Sequence, residues 1–359
     1  MPVISLFENV IAFLAVLTPV VFIHEWGHFW VARKSGVVVD VFSIGFGPSL
    51  YSWYDKHGTR WQIASVPLGG YVKMKGDMNP ASQASSGAQA LPGSLASASL
   101  PRRFAIVAAG PIANFLLAII LFAAVYMGSG KAFIPAEVGD VLPESPAATA
   151  GLEPGDKILS IGGRTVSGFD DMRGIVLQSP NTPLIFQIER QGQPRAVEVT
   201  PEAVYFEPLD TEVGRVGVTS AGGEFRRLGP SEALYYGTVD VYKTGYGMVV
   251  GIGRLVTGQS SMNELGGPVR IAEFSGDAAR QGIYSFILFT ALISLNLGLI
   301  NLLPVPALDG GHLMMFTCEA VLRRPLPEAV QNILLRAGIF FLLSLMAYVM
   351  IFDVIRTLS

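Results

Sequence analysis

The sequence predicts a polytopic α-helical membrane protein of about four transmembrane helices, with a membrane-associated β-hairpin region and an inserted α+β domain. Three observations carry this expectation. Half of the 359 residues are hydrophobic and only 15% are charged, and the mean hydropathy is +0.46, too apolar for a soluble chain of this length. Uncharged runs able to cross roughly 30 Å of hydrocarbon recur along the chain. Between them lie segments whose Val, Ile, Tyr and Trp content, with Gly and Pro punctuation, reads as strands and turns.

Residues 1–36 hold the first span. The apolar run Val10 to Ile23 is short by itself and reaches spanning length only if the helix continues toward Ala32. A signal peptide is rejected, because the run lacks a basic leading region and a small-residue cleavage site. Residues 37–79 carry the hairpin signature. Residues 80–100, rich in Ser, Ala and Gly, read as a flexible cytoplasmic linker. The second span occupies residues 101–128, around the run Phe104 to Met127.

Over residues 131–220 the chain changes character, combining short apolar alternations with the turn signals Pro154-Gly155-Asp156, Gly162-Gly163 and Gln191-Gly192. Residues 221–282 have helical length and amphipathic character suited to a membrane surface. The third span is expected within 283–322, on the run Ile283 to Leu303, and the fourth within 328–357, on Ala337 to Phe352.

Charge sets the orientation. Between the first two spans Lys and Arg outnumber Asp40, Asp55 and Asp77, which places that loop in the cytoplasm, with Arg323 and Arg324 on the same side. Both termini and the long segment up to residue 282 then face the opposite compartment, the periplasm or exterior of a bacterium. Cys318 is the single cysteine, so no internal disulfide framework exists. The net charge of −3 says little by itself, and no nucleic-acid partner is expected.

Chemistry begins in "FIHEWGHFW", Phe22 to Trp30. His24 and His28 are four residues apart, so on a helix they share one face, about 6 Å apart along the axis. Two neutral imidazoles at that spacing can grip one zinc, and Glu25 can stand beside the metal as the base that takes a proton from its water. Two histidines and a glutamate at the end of an apolar span are costly unless paired or liganded, which favours a metal over a chance motif. A catalytic zinc takes three protein ligands and keeps one position open. His57, His312 and the carboxylates are the remaining candidates. Asp309 is the best of them, lying beyond Pro304 and Pro306 at the end of the third apolar run, next to Gly310 and Gly311. From these residues alone, ligand and helix cap both remain open for Asp309. His312 reads better as a neighbour of the site, and His57 receives no role.

"SPAATAGLEPGDKILSIGG" resembles a bacterial PDZ domain, whose groove binds extended peptides by adding a strand to a sheet edge. Together with "HEWGH", "GPIANF" and "NLLPVPALDGG", it makes the chain resemble the site-2 protease family of intramembrane zinc metalloproteases, in particular its bacterial RseP-like members. The resemblance implies that His24, His28 and Asp309 bind Zn2+, that Glu25 is the catalytic base, and that Asn301, with Asn296 before it, positions the substrate or polarises its carbonyl. It further implies single-span membrane proteins as substrates, such as anti-sigma factors and remnant signal peptides. The setting it implies is the inner membrane, with the active site near the cytoplasmic side and the PDZ domain outside. Enteric relatives carry two PDZ domains, whereas this chain has room for one convincing copy. The alternatives are a non-proteolytic PDZ scaffold with a structural metal, against which Glu25 argues, and a metal transporter, which predicts more intramembrane polar ligands than the sequence offers.

Overall fold

The computed structural model describes residues 3–76, 91–206, 211–257 and 267–358. In chain order they form helix α1 (Val3–Lys34), strands β1 (Val39–Tyr54) and β2 (Arg60–Met74), and α2 (Leu100–Gly128). There follow β3 (Lys131–Phe133), β4 (Val138–Val141), α3 (Pro146–Ala150), β5 (Lys157–Ile161), β6 (Arg164–Thr165), α4 (Phe169–Leu177), β7 (Leu184–Arg190) and β8 (Gln193–Val199). The remainder comprises β9 (Glu202–Phe206), β10 (Thr211–Arg215), β11 (Val218–Ser220), β12 (Glu224–Arg226), α5 (Pro230–Val256), α6 (Pro268–Arg280), α7 (Ile283–Asn301), α8 (Asp309–Leu322) and α9 (Glu328–Leu358). They fall into two compact units, one of Met1–Val125, Pro230–Val250 and Met262–Ser359, the other of Tyr126–Gly229 and Gly251–Ser261.

Among the described residues of the first unit, four stretches are long and apolar enough to cross a membrane: Leu6–Lys34, Leu100–Gly128, Ile283–Asn301 and Ala329–Ile351. They suggest a multi-pass membrane protein. The first helix does continue through the histidine motif, which is what gives it spanning length.

β1 and β2 form more than a simple hairpin. Residues Val41 to Ile44 each pair twice, once with 60–63 and once with 70–73, while Tyr51 to Tyr54 pair with 60–63 on the far side. Each long strand therefore bends back on itself, β1 near Gly45 and Gly47 and β2 near Gly69, all three at positive φ. Four segments result, in the order 49–54, 60–66, 39–46, 69–74, the two outer pairs antiparallel and the central pair, 60–66 with 39–46, parallel. The base of this sheet packs Val39, Phe42, Val72 and Met74 against Phe29 and Ala32 of α1 and Ile106 of α2. Asp55 closes the turn: its carboxylate accepts from the backbone N–H groups of His57 and Thr59 and from the Trp61 indole, and pairs with Arg33.

Of the expected linker, residues 80–90 lie outside the described residues. Residues 91–99 are not a loose tether. Val38 N–H donates to the Gly93 carbonyl at 2.9 Å, and Leu95 and Ala98 pack onto the cluster around Phe29 and Phe42, so apolar contacts recruit a segment whose composition reads as spacer.

The third expected element, 283–322, is two helices. α7 stops at Asn301, Pro304 and Pro306 supply no N–H to continue the ladder, and α8 begins at Asp309. Residues 221–282 likewise divide. Gly237 of α5 lies against the Ile119 carbonyl of α2, and Gly276 of α6 lies against Asn9 of α1.

The second unit is a mixed α/β domain covering the residues expected to form the PDZ domain. Its main sheet has the order β6-β5-β7-β8, and β4 pairs with β11. Val138, Ile158, Ile161, Met172, Phe186, Ile188 and Val199 fill the core. The β7–β8 turn uses Gln191 and Gly192, both at positive φ, as a two-residue hairpin turn of right-handed twist requires. Asp156, fully buried, accepts from Arg190 Nε at 2.6 Å and Nη2 at 2.7 Å.

Candidate active site

Two helices build the centre of the site by touching backbone to backbone. A Cβ on Gly27 of α1 would lie 2.4 Å from the Ala109 carbonyl oxygen, and one on Gly110 of α2 would lie 2.2 Å from His28 Nε2. Only glycine permits that approach, and it presses both histidines against α2. His24 and His28 are 7% and 9% exposed, with their rings edge to face at 4.8 Å. Their Nε2 atoms stand 3.3 Å apart. His28 Nδ1–H donates to the Ile106 carbonyl at 2.9 Å, so its Nε2 keeps a free lone pair.

The third element arrives through the break between α7 and α8. A Cβ on Gly310 would lie 2.2 Å from the Leu303 carbonyl and one on Gly311 2.4 Å from the Val305 carbonyl, so residues 302–308 fold tightly over the head of α8. This turn places Asp309 Oδ2 at 3.2 Å from His24 Nε2 and 3.5 Å from His28 Nε2. Asp309 does not act as the cap of α8, whose N-cap is Leu308 with no side-chain bond. Ala307, two residues earlier, has φ 88°, the kind of left-handed strain that clusters at functional sites.

Ligand atoms of His24, His28 and Asp309 all lie within 4.8 Å of one another. Asp309 Oδ2 is nonetheless buried with no hydrogen-bond partner among the described residues. Two imidazole nitrogens and an orphaned carboxylate oxygen converging on one point are what a cation would satisfy, and the donor set suits zinc. The residues fit the metal.

Glu25 stands beside this group and not in it. It lines a cavity of about 500 Å³ together with the three ligand candidates, Gly70, Tyr71, Asn301 and His312. Asn301 Nδ2 lies 3.4 Å from His24 Nε2. Asn296 is not among the residues lining this cavity; five positions before Asn301, it is rotated about 140° around the helix. His312 lines the cavity but lies outside the ligand group, and His57 sits exposed in the turn after Tyr54.

One neighbour escaped the sequence reading. Asn114 of α2, fully buried, places its side-chain amide 3.2 Å from His24 Nδ1. The signal was present, since "GPIANF" sets an amide inside an apolar span, where polar groups are costly unless partnered.

Comparison with known proteins identifies relatives of the whole chain. The family model described as Peptidase family M50 matches residues 12–345. A protein of Rhizobium meliloti named a zinc metalloprotease is 41% identical, the match covering 94% of this chain and 93% of the relative. One of Agrobacterium fabrum, similarly named, is 40% identical over 94% and 93%, and Metalloprotease MmpA of Caulobacter vibrioides is 37% identical over 94% and 93%. Because these matches run through every helix that contributes to the site, the chain belongs to peptidase family M50, the site-2 protease family, and is a zinc metalloendopeptidase of that type.

Proposed function

We propose that the protein is an intramembrane endopeptidase that cleaves the transmembrane segments of single-span membrane proteins, with His24, His28 and Asp309 holding the zinc and Glu25 as general base. The observation that carries this reading is the convergence of three ligand side chains beside Glu25, two from α1, a helix of spanning length and apolarity, and one from the head of α8, just beyond another such helix. Bound there, zinc polarises a carbonyl and acidifies water, its usual chemistry in hydrolases.

Glu25 takes a proton from the attacking water and returns it to the nitrogen of the departing amine. Asn301 offers its amide N–H groups to the substrate carbonyl oxygen as negative charge develops. A peptide bond within a helix is hydrogen-bonded and shielded, so the substrate must be extended before attack. The segment 69–74, at one edge of the β1–β2 sheet, lines the cavity through Gly69, Gly70, Tyr71, Val72 and Met74, and fits the task of receiving it as an added strand.

In this reading residues 131–220 form a single PDZ domain outside the membrane that docks or screens the substrate's extracytoplasmic part. The excess of Lys and Arg between the first two spans puts the active site near the cytoplasmic side of a bacterial inner membrane. Anti-sigma factors and remnant signal peptides are substrate classes that match this topology. The test incubates purified protein in detergent with single-span substrates, with and without a zinc chelator, beside Glu25→Gln. Cleavage is expected to disappear with chelator and in the variant, while the variant keeps its zinc. Undiminished cleavage by Glu25→Gln overturns the mechanism, and no cleavage by the wild type across several substrates favours a scaffold.

A further inference from the structure

We propose that Asn114 is a positioning residue for the metal: its side-chain oxygen accepts a hydrogen bond from His24 Nδ1–H and holds that imidazole in the tautomer whose Nε2 can bind zinc. The proposal rests on the metal-site reading given above and extends it to a residue outside the ligand set.

The argument starts from His24. Its Nε2 faces Asp309 Oδ2 at 3.2 Å and His28 Nε2 at 3.3 Å, so Nε2 is the nitrogen available to a metal. A neutral imidazole that donates its Nε2 lone pair carries its proton on Nδ1, and a buried N–H needs an acceptor. The group 3.2 Å from Nδ1 is the Asn114 amide. As placed, the amide turns Nδ2 toward Nδ1 and leaves Oδ1 buried without a partner. That orientation demands a lone pair on Nδ1 and puts the proton on Nε2, where it blocks ligation.

Rotating the amide by half a turn exchanges two ends of nearly equal size. Oδ1 then meets Nδ1–H. The orientation as placed gains no hydrogen bond at the far end of the amide among the described residues, so the contact at His24 decides between the two. Metal on Nε2 and oxygen on Nδ1 require each other.

His28 supplies an internal comparison. Its Nδ1–H donates to the Ile106 carbonyl, leaving Nε2 free in the same way. Ile106, Gly110 and Asn114 are spaced four residues apart on α2, and His24 and His28 four apart on α1. A Cβ on Gly110 would meet both rings, at 2.2 Å from His28 Nε2 and 2.9 Å from His24 Cε1. One face of α2 therefore orients both imidazoles, by a backbone carbonyl at one level and a side-chain oxygen at the other. α7 holds the asparagine in place: Ser294 Oγ donates to its backbone carbonyl at 2.9 Å, and a Cβ on Gly298 would lie 3.2 Å from its Cβ.

The test measures zinc affinity of the full chain in detergent by competition with a chromophoric chelator. Asn114→Leu keeps the volume and removes the acceptor, and is expected to weaken zinc binding about ten- to a hundredfold, as loss of such a partner typically does. Asn114→Asp restores an acceptor and is expected to bind zinc at least as tightly as the wild type. Gly174→Ala, where nothing lies within 4 Å of the new Cβ, is the control and is expected to leave affinity unchanged. Helical content is compared by circular dichroism; if Asn114→Leu does not fold, Asn114→Ala takes its place under the same criteria. Wild-type affinity in the apolar variant, or an aspartate variant as weak as the apolar one, overturns the proposal. His24→Ala separates the two levels. If it binds zinc like the wild type, the metal-site reading fails; if it does not and the apolar Asn114 variant still binds normally, the Asn114 proposal alone fails.

Discussion

Adding a single methyl group at Gly110 tests whether the close crossing of α1 and α2 makes the metal centre. The Cβ of Gly110→Ala would sit 2.2 Å from His28 Nε2, 2.5 Å from His28 Cε1 and 2.9 Å from His24 Cε1. To reach ordinary contact at 3.4 Å, His28 Nε2 must retreat by about 1.2 Å, and a close-packed interior offers little room for that. The ring is anchored at its other nitrogen by the Ile106 carbonyl. The helices resist sliding together elsewhere, because Gly27 already lies against the Ala109 carbonyl. Either the imidazole leaves its place or the helices part. Zinc sites tolerate ligand displacements of only about 0.2 Å, so the expected result is loss of stoichiometric zinc after dialysis. Cleavage of a single-span substrate is expected to fall by about a hundredfold or more, the scale of a 1 Å misplacement in an active site. Overpacking costs about 1–3 kcal/mol, so helical content should survive. Gly174→Ala, where nothing lies within 4 Å of the new Cβ, is the control. A Gly110→Ala protein with full zinc content and undiminished cleavage refutes the reasoning.

Asp309→Asn keeps the shape of the third ligand candidate and removes its charge; zinc content by elemental analysis is expected to drop sharply, and retention at the wild-type level would remove Asp309 from the ligand set. Asp55, outside the spans, gives a pH prediction. Partial burial pushes its carboxyl upward, but donors from Trp61, the His57 backbone, Arg33 and the Thr59 backbone outweigh that and hold it at about 2. A folded value below the ordinary 3.8 means that the unfolded chain binds the proton more readily, so the stabilisation is complete above about pH 4 and is lost as pH falls toward 2. Asp55→Asn is therefore expected to lower stability by about 1–2 kcal/mol at pH 6 and to converge with the wild type near pH 2 in thermal unfolding. A gap independent of pH contradicts the assignment.

What could be read from the chain followed the range of the interaction. Apolar runs mark spans because each residue meets lipid or protein locally, and the helix through "HEWGH" was legible from i, i+4 spacing alone. Gln191-Gly192 announced its turn because positive φ is a local demand. The fold-back of β1 and β2 was not legible: glycines at 45, 47 and 69 read as punctuation between hairpins, and only pairing across the sheet shows that Val41 to Ile44 have partners on both sides. Residues 91–99 were misread for the same reason, since Leu95 and Ala98 find their apolar neighbours on α1 and the sheet. Within the site, Asp309 could be singled out by the odd chemistry around it, but its approach to His24 and its absence from the cap of α8 could not be read from the chain. Asn301 ends α7 at the cavity, while Asn296, alike in type and nearby in sequence, points elsewhere because helical periodicity separates them. Asn114 was visible only as an amide in a span, a description that also fits a residue joining two helices.

The irregular stretch between Asn301 and Asp309 explains how a carboxylate can be delivered to histidines on another apolar helix. An uninterrupted α7 would carry residue 309 about 12 Å further along its axis. Ending the helix at Asn301 instead turns the chain, and the freed backbone groups are met locally: Val305 N–H donates to the Leu303 carbonyl at 2.7 Å and Leu308 N–H to the Val305 carbonyl at 3.0 Å. Such backbone is tolerated at membrane depth only where protein or a wet cavity surrounds it. Both conditions hold here, with Ala307 and Leu308 lining the cavity and Gly338 of α9 so close to the turn that a Cβ there would lie 1.7 Å from the Pro306 carbonyl. The break that brings Asp309 to the histidines is thus the same feature that lines the cavity beside Glu25, so the proposed ligation and the proposed access for water depend on one local departure from the helix.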